Sequence, residues 1–180
     1  MGADQKKEAQ HGRVYWITGL SGAGKTTIRT ALYERLKAVK PNVVMLDGDK
    51  LRAAYGSAFG YTEEERRKAA FCNAKLSHLL ASQGIDVICC TIGMYDAVRD
   101  WNRENNERYT EVYLNVTMDT LMRRDKKGLY SSHAKDLVGV DVKMEEPKHP
   151  DVLVHNDGER SVESIVDEIR ANVYQKETDE

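Results

Sequence analysis

Residues 19–27 read Gly-Leu-Ser-Gly-Ala-Gly-Lys-Thr-Thr, a match to the spacing G-x-x-x-x-G-K-[ST]. In such a loop the glycines let successive backbone N–H groups point inward, and the following helix adds its positive N-terminal end. The lysine supplies charge to the β- and γ-phosphates, and the threonine hydroxyl binds Mg²⁺. We therefore predict a site for a nucleoside triphosphate and Mg²⁺. The predicted binding residues are Gly19, Ser21, Gly22, Ala23, Gly24, Lys25, Thr26 and Thr27.

Two acidic residues, Asp47 and Asp49, follow a second apolar segment, and Arg52 lies one helical turn after Asp49. Ligands of open parallel sheets bind beyond the carboxyl ends of the strands, which makes these side chains neighbours of the glycine-rich loop. Asp47 with Thr26 is the predicted metal set, and Asp49 is the predicted group that orients an attacking hydroxyl. The same residues are typical of a turn and of a helix N-cap at Asp49, and both interpretations can hold together.

Alternating strands and helices must position these residues. Strands are predicted at 14–18, 43–46, 86–91, 111–116 and 152–154, where β-branched residues are frequent. Helices are predicted at 25–39, 63–83 and 162–174 from the spacing of apolar residues. This order predicts an α/β fold with a five-stranded parallel sheet covered by helices on both faces. Thr62 with Glu65 predicts a capping box, and Ser161 predicts another N-cap.

The chain has 180 residues, which predicts one domain at 13–174 between a flexible leader at 1–12 and a tail at 175–180. Residues 126–150 break the pattern with glycines, prolines and charges, so we expect a mobile lid there. The 27 basic and 29 acidic residues nearly balance, which argues against a nucleic-acid partner. Since no apolar run reaches about 20 residues, we expect no membrane span and a cytoplasmic location.

The sequence resembles the adenylyl-sulfate kinases, P-loop kinases that use ATP to phosphorylate the ribose 3′-hydroxyl of adenosine 5′-phosphosulfate. The resemblance runs from about residue 14 to residue 173. It rests on VYWITGLSGAGKTT, LDGDKLR, FGYTEEERR, RDKKGLY and GVD ahead of Pro147 and Pro150. It implies a P-loop kinase fold, ATP with Mg²⁺, a small nucleotide as acceptor and, since relatives often form dimers, a homodimer.

The resemblance also implies residue roles. Asp49, Lys25 and Lys127 match catalytic positions, and Arg124 matches a residue near the ATP base or phosphates. The implied acceptor-binding residues are Asp49, Arg52, Tyr61, Arg66, Arg99 and Leu137. Among these, Arg52 and Arg66 would hold the phosphosulfate and Tyr61 would stack on the base, whereas Arg99 could equally form a surface ion pair.

Departures from the family pattern cluster on the acceptor side. Ala69 stands where the family has an acceptor-binding Asn, Asp96 replaces an Arg, and Leu137 replaces a stacking Phe. These exchanges also resemble kinases of bacterial capsule pathways that phosphorylate cytidine diphosphoramidate, as do the residues Trp-Asn-Arg-Glu-Asn at 101–105. Three hypotheses follow: a kinase of adenosine 5′-phosphosulfate, a kinase of cytidine diphosphoramidate, and a non-catalytic ATP-binding module.

Overall fold

The five predicted strands form one parallel sheet. The structure is a computed structural model that describes residues 11–125, 128 and 144–178. The strands are β1 (Val14–Thr18), β2 (Val43–Asp47), β3 (Asp86–Thr91), β4 (Tyr109–Asn115) and β5 (Val152–His155). Their order in the sheet is β2-β3-β1-β4-β5, and every pairing is parallel. The predicted α/β sheet is confirmed.

The register of the sheet brings the chemistry-bearing strand ends together. Thr18, which ends β1, pairs with Thr91, which ends β3. Asp47, which ends β2, pairs with Cys90 of the same strand, β3. The loop after β1 and the acidic residues after β2 therefore leave the sheet at one edge, as a parallel arrangement requires.

Helices cover both faces of the sheet. They are α1 (Lys25–Lys37), α2 (Gly48–Tyr55), α3 (Glu63–Ala81), α4 (Asp96–Asn105), α5 (Met118–Arg123) and α6 (Val162–Thr178). Alternate residues of β1 point to opposite faces, as strand geometry demands. Tyr15 and Ile17 pack with α1 and α6, while Val14 and Trp16 pack with α3 and α4. None of the helices in the described ranges is long and apolar enough to cross a bilayer.

The helix caps match the sequence in part. The capping box of Thr62 and Glu65 forms, and the Ser161 hydroxyl accepts a hydrogen bond from the backbone N–H of Ser164. The N-cap of α2 is Asp47, whose carboxylate accepts from the backbone N–H groups of Asp49 and Lys50. The prediction of an N-cap at Asp49 is therefore wrong, because the helix begins directly at the end of β2.

Three features differ from the predicted elements. The sequence patterns did not predict α4 and α5, and α6 continues four residues beyond the predicted end at residue 174, into the segment expected to be a tail. Neither Gly nor Pro follows residue 174 to stop that helix. Most of the predicted lid, residues 126–127 and 129–143, lies outside the described residues, as does the leader up to residue 10.

Candidate active site

The glycine-rich loop forms one wall of a cavity of about 470 Å³, here named the P-loop cavity. From the predicted nucleotide site its lining includes Ser21, Gly22, Gly24, Lys25, Thr26, Thr27 and Arg124. Two predicted residues, Gly19 and Ala23, do not contribute to the lining, and Ala23 is almost fully buried. The structure thus brings Arg124, nearly 100 residues further along the chain, to the same cavity as the loop.

Close backbone packing explains two of the glycines. A Cβ atom on Gly19 would lie 2.6 Å from the carbonyl oxygen of Leu114 in β4. A Cβ atom on Gly24 would lie 2.6 Å from the side-chain nitrogen of Asn156, and the positive φ of 94° also favours glycine there. The loop is therefore pressed against β4 and against the residue that follows β5.

The start of α1 points into the P-loop cavity. Its N-cap, Gly24, has no side chain with which to cap the first-turn N–H groups, so this helix end presents its partial positive charge to the cavity. The Nζ atom of Lys25 donates to the carbonyl oxygens of Gly19 and Leu20, both at 2.7 Å. These contacts hold the ammonium group within the loop whose amides would surround a phosphate.

Asn156 is a residue of this cavity that the sequence did not reveal. Its side-chain nitrogen donates to the carbonyl oxygen of Ala23 at 2.8 Å, and its backbone N–H donates to Asn115 at the end of β4. It directly follows β5, so a polar residue at a strand end was the available signal. Asn156 ties the loop to the far edge of the sheet.

A second cavity of about 170 Å³, here named the Tyr61 cavity, adjoins the first. The two cavities share four lining residues, Gly48, Asp49, Thr91 and Ile92. Asp49 lies in the first turn of α2, directly after the end of β2. Its position on the common wall allows one carboxylate to face ligands in both cavities.

Both carboxylate oxygens of Asp47 contact other groups of the protein, whereas a direct metal ligand would present an oxygen to the ion. Its Oδ2 atom forms an ion pair with buried Arg29, and its Oδ1 atom accepts the two N-cap hydrogen bonds of α2. Burial raises the pKa of Asp47, but the Arg29 contact and the backbone bonds outweigh it, so the pKa lies below its usual range. Both oxygens are therefore already engaged in holding the β2–α2 corner.

Three predicted acceptor residues meet in the Tyr61 cavity. The guanidinium carbons of Arg52 and Arg66 lie 5.0 Å and 5.4 Å from the centre of the Tyr61 ring. Arg52 donates to the carbonyl oxygen of Gly60 at 2.7 Å, and Arg66 donates to that of Tyr61 at 2.7 Å. Tyr61 itself is 65% exposed, so its ring is accessible at the cavity mouth. The arrangement offers two cations and an aromatic surface to one ligand.

Arg99 is not among the residues that line either cavity. Its side chain is buried, where it contacts Asp96, the carboxylate of Glu111 at 3.2 Å and the backbone carbonyl of Glu145 at 2.7 Å. Burial raises the pKa of Glu111, which the cations Arg99 and Arg103 partly offset. The sequence left two interpretations of Arg99 open, an acceptor contact and a surface ion pair. Its contacts in the structure differ from both, because they are ion pairs and hydrogen bonds of a buried side chain. Asp96 belongs to these contacts rather than to the cavity lining.

Further residues complete the Tyr61 cavity. Tyr55 of α2, Asn73 of α3 and Tyr95 after β3 line it, and the sequence did not single them out for this role. Ala69, noted as a departure from the family, is also part of the lining. Lys127 and Leu137, predicted from the resemblance, lie outside the described residues.

Comparisons with known proteins identify the family of this chain. The family described as Adenylylsulphate kinase matches residues 11–155. A cytidine diphosphoramidate kinase of Campylobacter jejuni is 38% identical over 158 residues, which cover 86% of this chain and 92% of that protein. A probable adenylyl-sulfate kinase of Archaeoglobus fulgidus is 39% identical over 148 residues, covering 80% and 96%.

A solved structure shares the whole architecture. The APS kinase of Mycobacterium tuberculosis in complex with AMPPNP and APS superposes with a TM-score of 0.81 at 26% identity. The match covers 91% of this chain and 98% of that one. The comparison therefore shows that this chain shares its fold with that kinase.

Proposed function

This chain belongs to the adenylyl-sulfate kinase family of ATP-dependent phosphotransferases that act on a hydroxyl group, and we propose that it phosphorylates the ribose 3′-hydroxyl of a small 5′-modified nucleotide. The observation that carries the proposal is Asp49 on the wall shared by the P-loop cavity and the Tyr61 cavity. A kinase must hold its donor and its acceptor on either side of the group that is transferred. The shared wall supplies that arrangement.

The P-loop cavity is the proposed ATP site. Lys25 would exchange its contacts with the loop carbonyls for the β- and γ-phosphates, and the start of α1 would face the same anion. Arg124 lies on this cavity as well, and we propose that it contacts the ATP base or phosphates. Lys127 follows it closely in sequence and is proposed to approach the transferring phosphoryl group.

We propose that Mg²⁺ binds in the P-loop cavity, whose lining includes Thr26 and Asp47. Thr26 offers a hydroxyl in the first turn of α1, and Mg²⁺ typically takes one or two protein oxygens together with phosphate oxygens and water. Bound there, it would neutralise charge on the β- and γ-phosphates. Because both oxygens of Asp47 already have partners, we propose that Asp47 acts on the water shell and that Asp49 orients the attacking hydroxyl.

The Tyr61 cavity is the proposed acceptor site. Arg52 and Arg66 would bind the anionic 5′ group, since guanidinium groups pair well with phosphate and sulfate oxygens. Tyr61 would stack on the nucleobase. Adenosine 5′-phosphosulfate is the first candidate acceptor, as the resemblance implies.

Cytidine diphosphoramidate is the second candidate acceptor. The residues that line the Tyr61 cavity support it as well as they support the adenosine compound. Ala69 provides no hydrogen-bonding side chain on the wall, and Asp96, which replaces an Arg of the family pattern, pairs with Arg99 instead of lining the cavity. An acceptor site with these exchanges would lose contacts that the adenosine compound uses in the family pattern. The Campylobacter jejuni relative named for the cytidine compound gives this candidate its precedent.

One assay separates the hypotheses. Purified protein is incubated with ATP and Mg²⁺ and offered each acceptor in turn, while ADP release and the 3′-phosphorylated product are measured. Turnover with either nucleotide supports the kinase reaction and identifies the acceptor. ADP release with neither compound across a wider nucleotide panel would favour the non-catalytic ATP-binding module.

The role of Asp49 is tested by Asp49→Asn, which keeps the size of the side chain. Loss of a positioned base typically lowers the rate by about 10²- to 10⁴-fold, so kcat should fall in that range while the KM for ATP stays near its wild-type value. Full activity of this variant would refute the assignment. Asp100→Asn, an exposed acid on α4, is the matched control and should retain activity.

A further inference from the structure

A polar pair, half-buried Tyr55 and buried Asn73, lies in the Tyr61 cavity and has no part in the roles assigned above. The phenolic hydroxyl of Tyr55 donates to the side-chain oxygen of Asn73 at 2.9 Å. Asn73 is only 5% exposed, yet both residues line the cavity. The Tyr55 ring also packs against the Phe59 ring in a T-shaped, edge-to-face contact with 5.5 Å between the ring centroids. The pair therefore has packing partners in the protein and lines the proposed acceptor site.

The surroundings give the pair room for a ligand group. Ala69 and Ala70, which lie four and three residues before Asn73 on α3, also line the cavity. Residues at that spacing share one face of a helix, so two methyl groups and one amide form a continuous strip. The small alanines leave the Asn73 side chain reachable from the cavity.

The chemistry of the pair suits an uncharged partner. Arg52 and Arg66 supply the cations of this cavity, whereas Tyr55 and Asn73 are neutral hydrogen-bonding groups. Burial raises the pKa of Tyr55, so its hydroxyl stays protonated at neutral pH. A buried neutral hydrogen bond adds little net stability compared with two apolar side chains of the same shape. The stability of the fold therefore does not explain why this polar pair is present.

We propose that Tyr55 and Asn73 are specificity-determining residues that read the edge of an amino-bearing nucleobase on the acceptor; the inference rests on the proposed function. The Asn73 oxygen is used by Tyr55, which leaves the amide N–H₂ as the donor of the pair and the phenolic oxygen as its acceptor. Cytosine and adenine each present a ring-nitrogen acceptor beside an exocyclic amine. The amide donates to the ring nitrogen, and the phenolic oxygen accepts from the amine.

The test compares nucleotides that differ only at this edge. Cytidine diphosphoramidate is paired with its uridine counterpart, and adenosine 5′-phosphosulfate with its inosine counterpart. We expect the wild-type chain to prefer the amino-bearing member of the pair it accepts. Tyr55→Phe should lower kcat/KM for that member about five- to tenfold, and Asn73→Ala about 10- to 100-fold. Both losses should lie mainly in the acceptor KM, while the KM for ATP stays unchanged.

Ser77→Ala is the matched control. Ser77 is fully buried on α3, and its hydroxyl donates to the backbone carbonyl of Asn73, but it does not line the cavity. Ser77→Ala should keep the preference for an amino-bearing base. That result would show that losing a buried hydrogen bond on α3 does not by itself remove the base preference. Thermal unfolding of each variant checks folding, and Tyr55→Phe carries the test if Asn73→Ala does not fold.

Binding measured by calorimetry in the presence of ADP keeps the inference separate from the proposed function. If no γ-phosphoryl transfer is detected, the base preference can still be read from the dissociation constants. A preference that collapses in both variants supports the proposal. Two results would overturn the proposal while leaving the proposed kinase activity untouched. The variants could bind nucleotides with amino and carbonyl bases equally more weakly, or their affinity for the acceptor could be unchanged.

Discussion

The phosphate-binding wall of the P-loop cavity comes from one short stretch, residues 21–28 apart from buried Ala23. The Tyr61 cavity is instead assembled from α2, Tyr61 ahead of α3, α3 itself and the β3–α4 connection. The conformation of the backbone and the N-terminal end of α1 determine the first wall. The second depends on side chains that distant segments bring together. The reaction type is therefore encoded locally, while the identity of the acceptor depends on tertiary packing.

The two regions also differ in where their cations are held. Lys25 is bonded to carbonyl oxygens of its own loop, so its position follows from the loop itself. Arg52 and Arg66 also donate to backbone carbonyls, those of Gly60 and Tyr61, but they come from two different helices, α2 and α3, and lie against the exposed Tyr61 ring. We therefore expect exchanges near Tyr61 to alter binding of the acceptor without disturbing binding of ATP. Substitutions on the two sides should thus separate ATP affinity from acceptor affinity.

The largest effect is expected from Lys25→Ala, which removes the charge at the phosphate loop. Because stabilisation of the transferring phosphoryl group is lost, kcat/KM should fall about 10³-fold with either acceptor. Steady-state kinetics with both nucleotides measure this loss. Lys37→Ala, at the exposed far end of the same helix, is the control. Activity within about tenfold of wild type would break the assignment of this cavity to ATP.

Asp47→Asn should act on stability more than on catalysis. It leaves the buried Arg29 guanidinium without its counter-charge, while Asn still caps α2, so the free energy of unfolding should fall by about 3 kcal/mol at pH 7. Since the folded-state pKa of Asp47 is lowered, its contribution is present at neutral pH and is lost as pH falls from about 4 through that pKa. Denaturant unfolding of both proteins should converge in acid.

The control for that comparison is Asp167→Asn, which removes the partner of Arg35 from an exposed pair at 3.5 Å. Exposed pairs contribute at most about 1 kcal/mol, so a small change is expected. Because we also propose that Asp47 acts on the Mg²⁺ water shell, Asp47→Asn should need somewhat more Mg²⁺ for half-maximal activity as well. An unchanged free energy of unfolding would contradict the role of the pair of Asp47 and Arg29.

Tyr61→Ala tests the acceptor side alone. Loss of a stacking surface should raise the acceptor KM by about tenfold and leave the KM for ATP unchanged. Tyr174→Ala is a close control, because Tyr174 is a similarly exposed tyrosine on α6 with Arg170 over its ring at 5.7 Å. A matching rise in the ATP KM would show that the two cavities are not separable.

The sequence predicted the parallel sheet and the phosphate loop because both follow from local patterns. The loop spacing and the β-branched strands need no knowledge of tertiary contacts. Helix α4 was missed because its buried residues include Arg99 and Asn102 beside Val98, so its inner face is not an apolar stripe. Arg99 satisfies its charge with Glu111 on β4, a partnership that only the folded chain reveals.

The acceptor cavity could be predicted only where family motifs exist. Arg52, Tyr61 and Arg66 lie in motifs, and the structure places them together. Tyr55 and Asn73 are 18 residues apart in sequence and meet only because α2 packs beside α3. Their residue types alone give no signal of ligand binding. The predicted roles of Lys127 and Leu137, and the homodimer, stay predictions.

The smallest effect is expected from Asn156→Ala, which removes one side-chain hydrogen bond to the carbonyl oxygen of Ala23. A neutral hydrogen bond contributes about 0.5–1.5 kcal/mol, so the KM for ATP should rise about three- to tenfold with no change in the acceptor KM. Asn172→Ala removes an equivalent bond, from Asn172 to the carbonyl of Asp151 at 2.9 Å, away from both cavities. If both variants lose the same stability and keep their affinity for ATP, the Asn156 side chain only stabilises the sheet. If only Asn156→Ala raises the KM for ATP, the residue that follows β5 helps to position the phosphate loop.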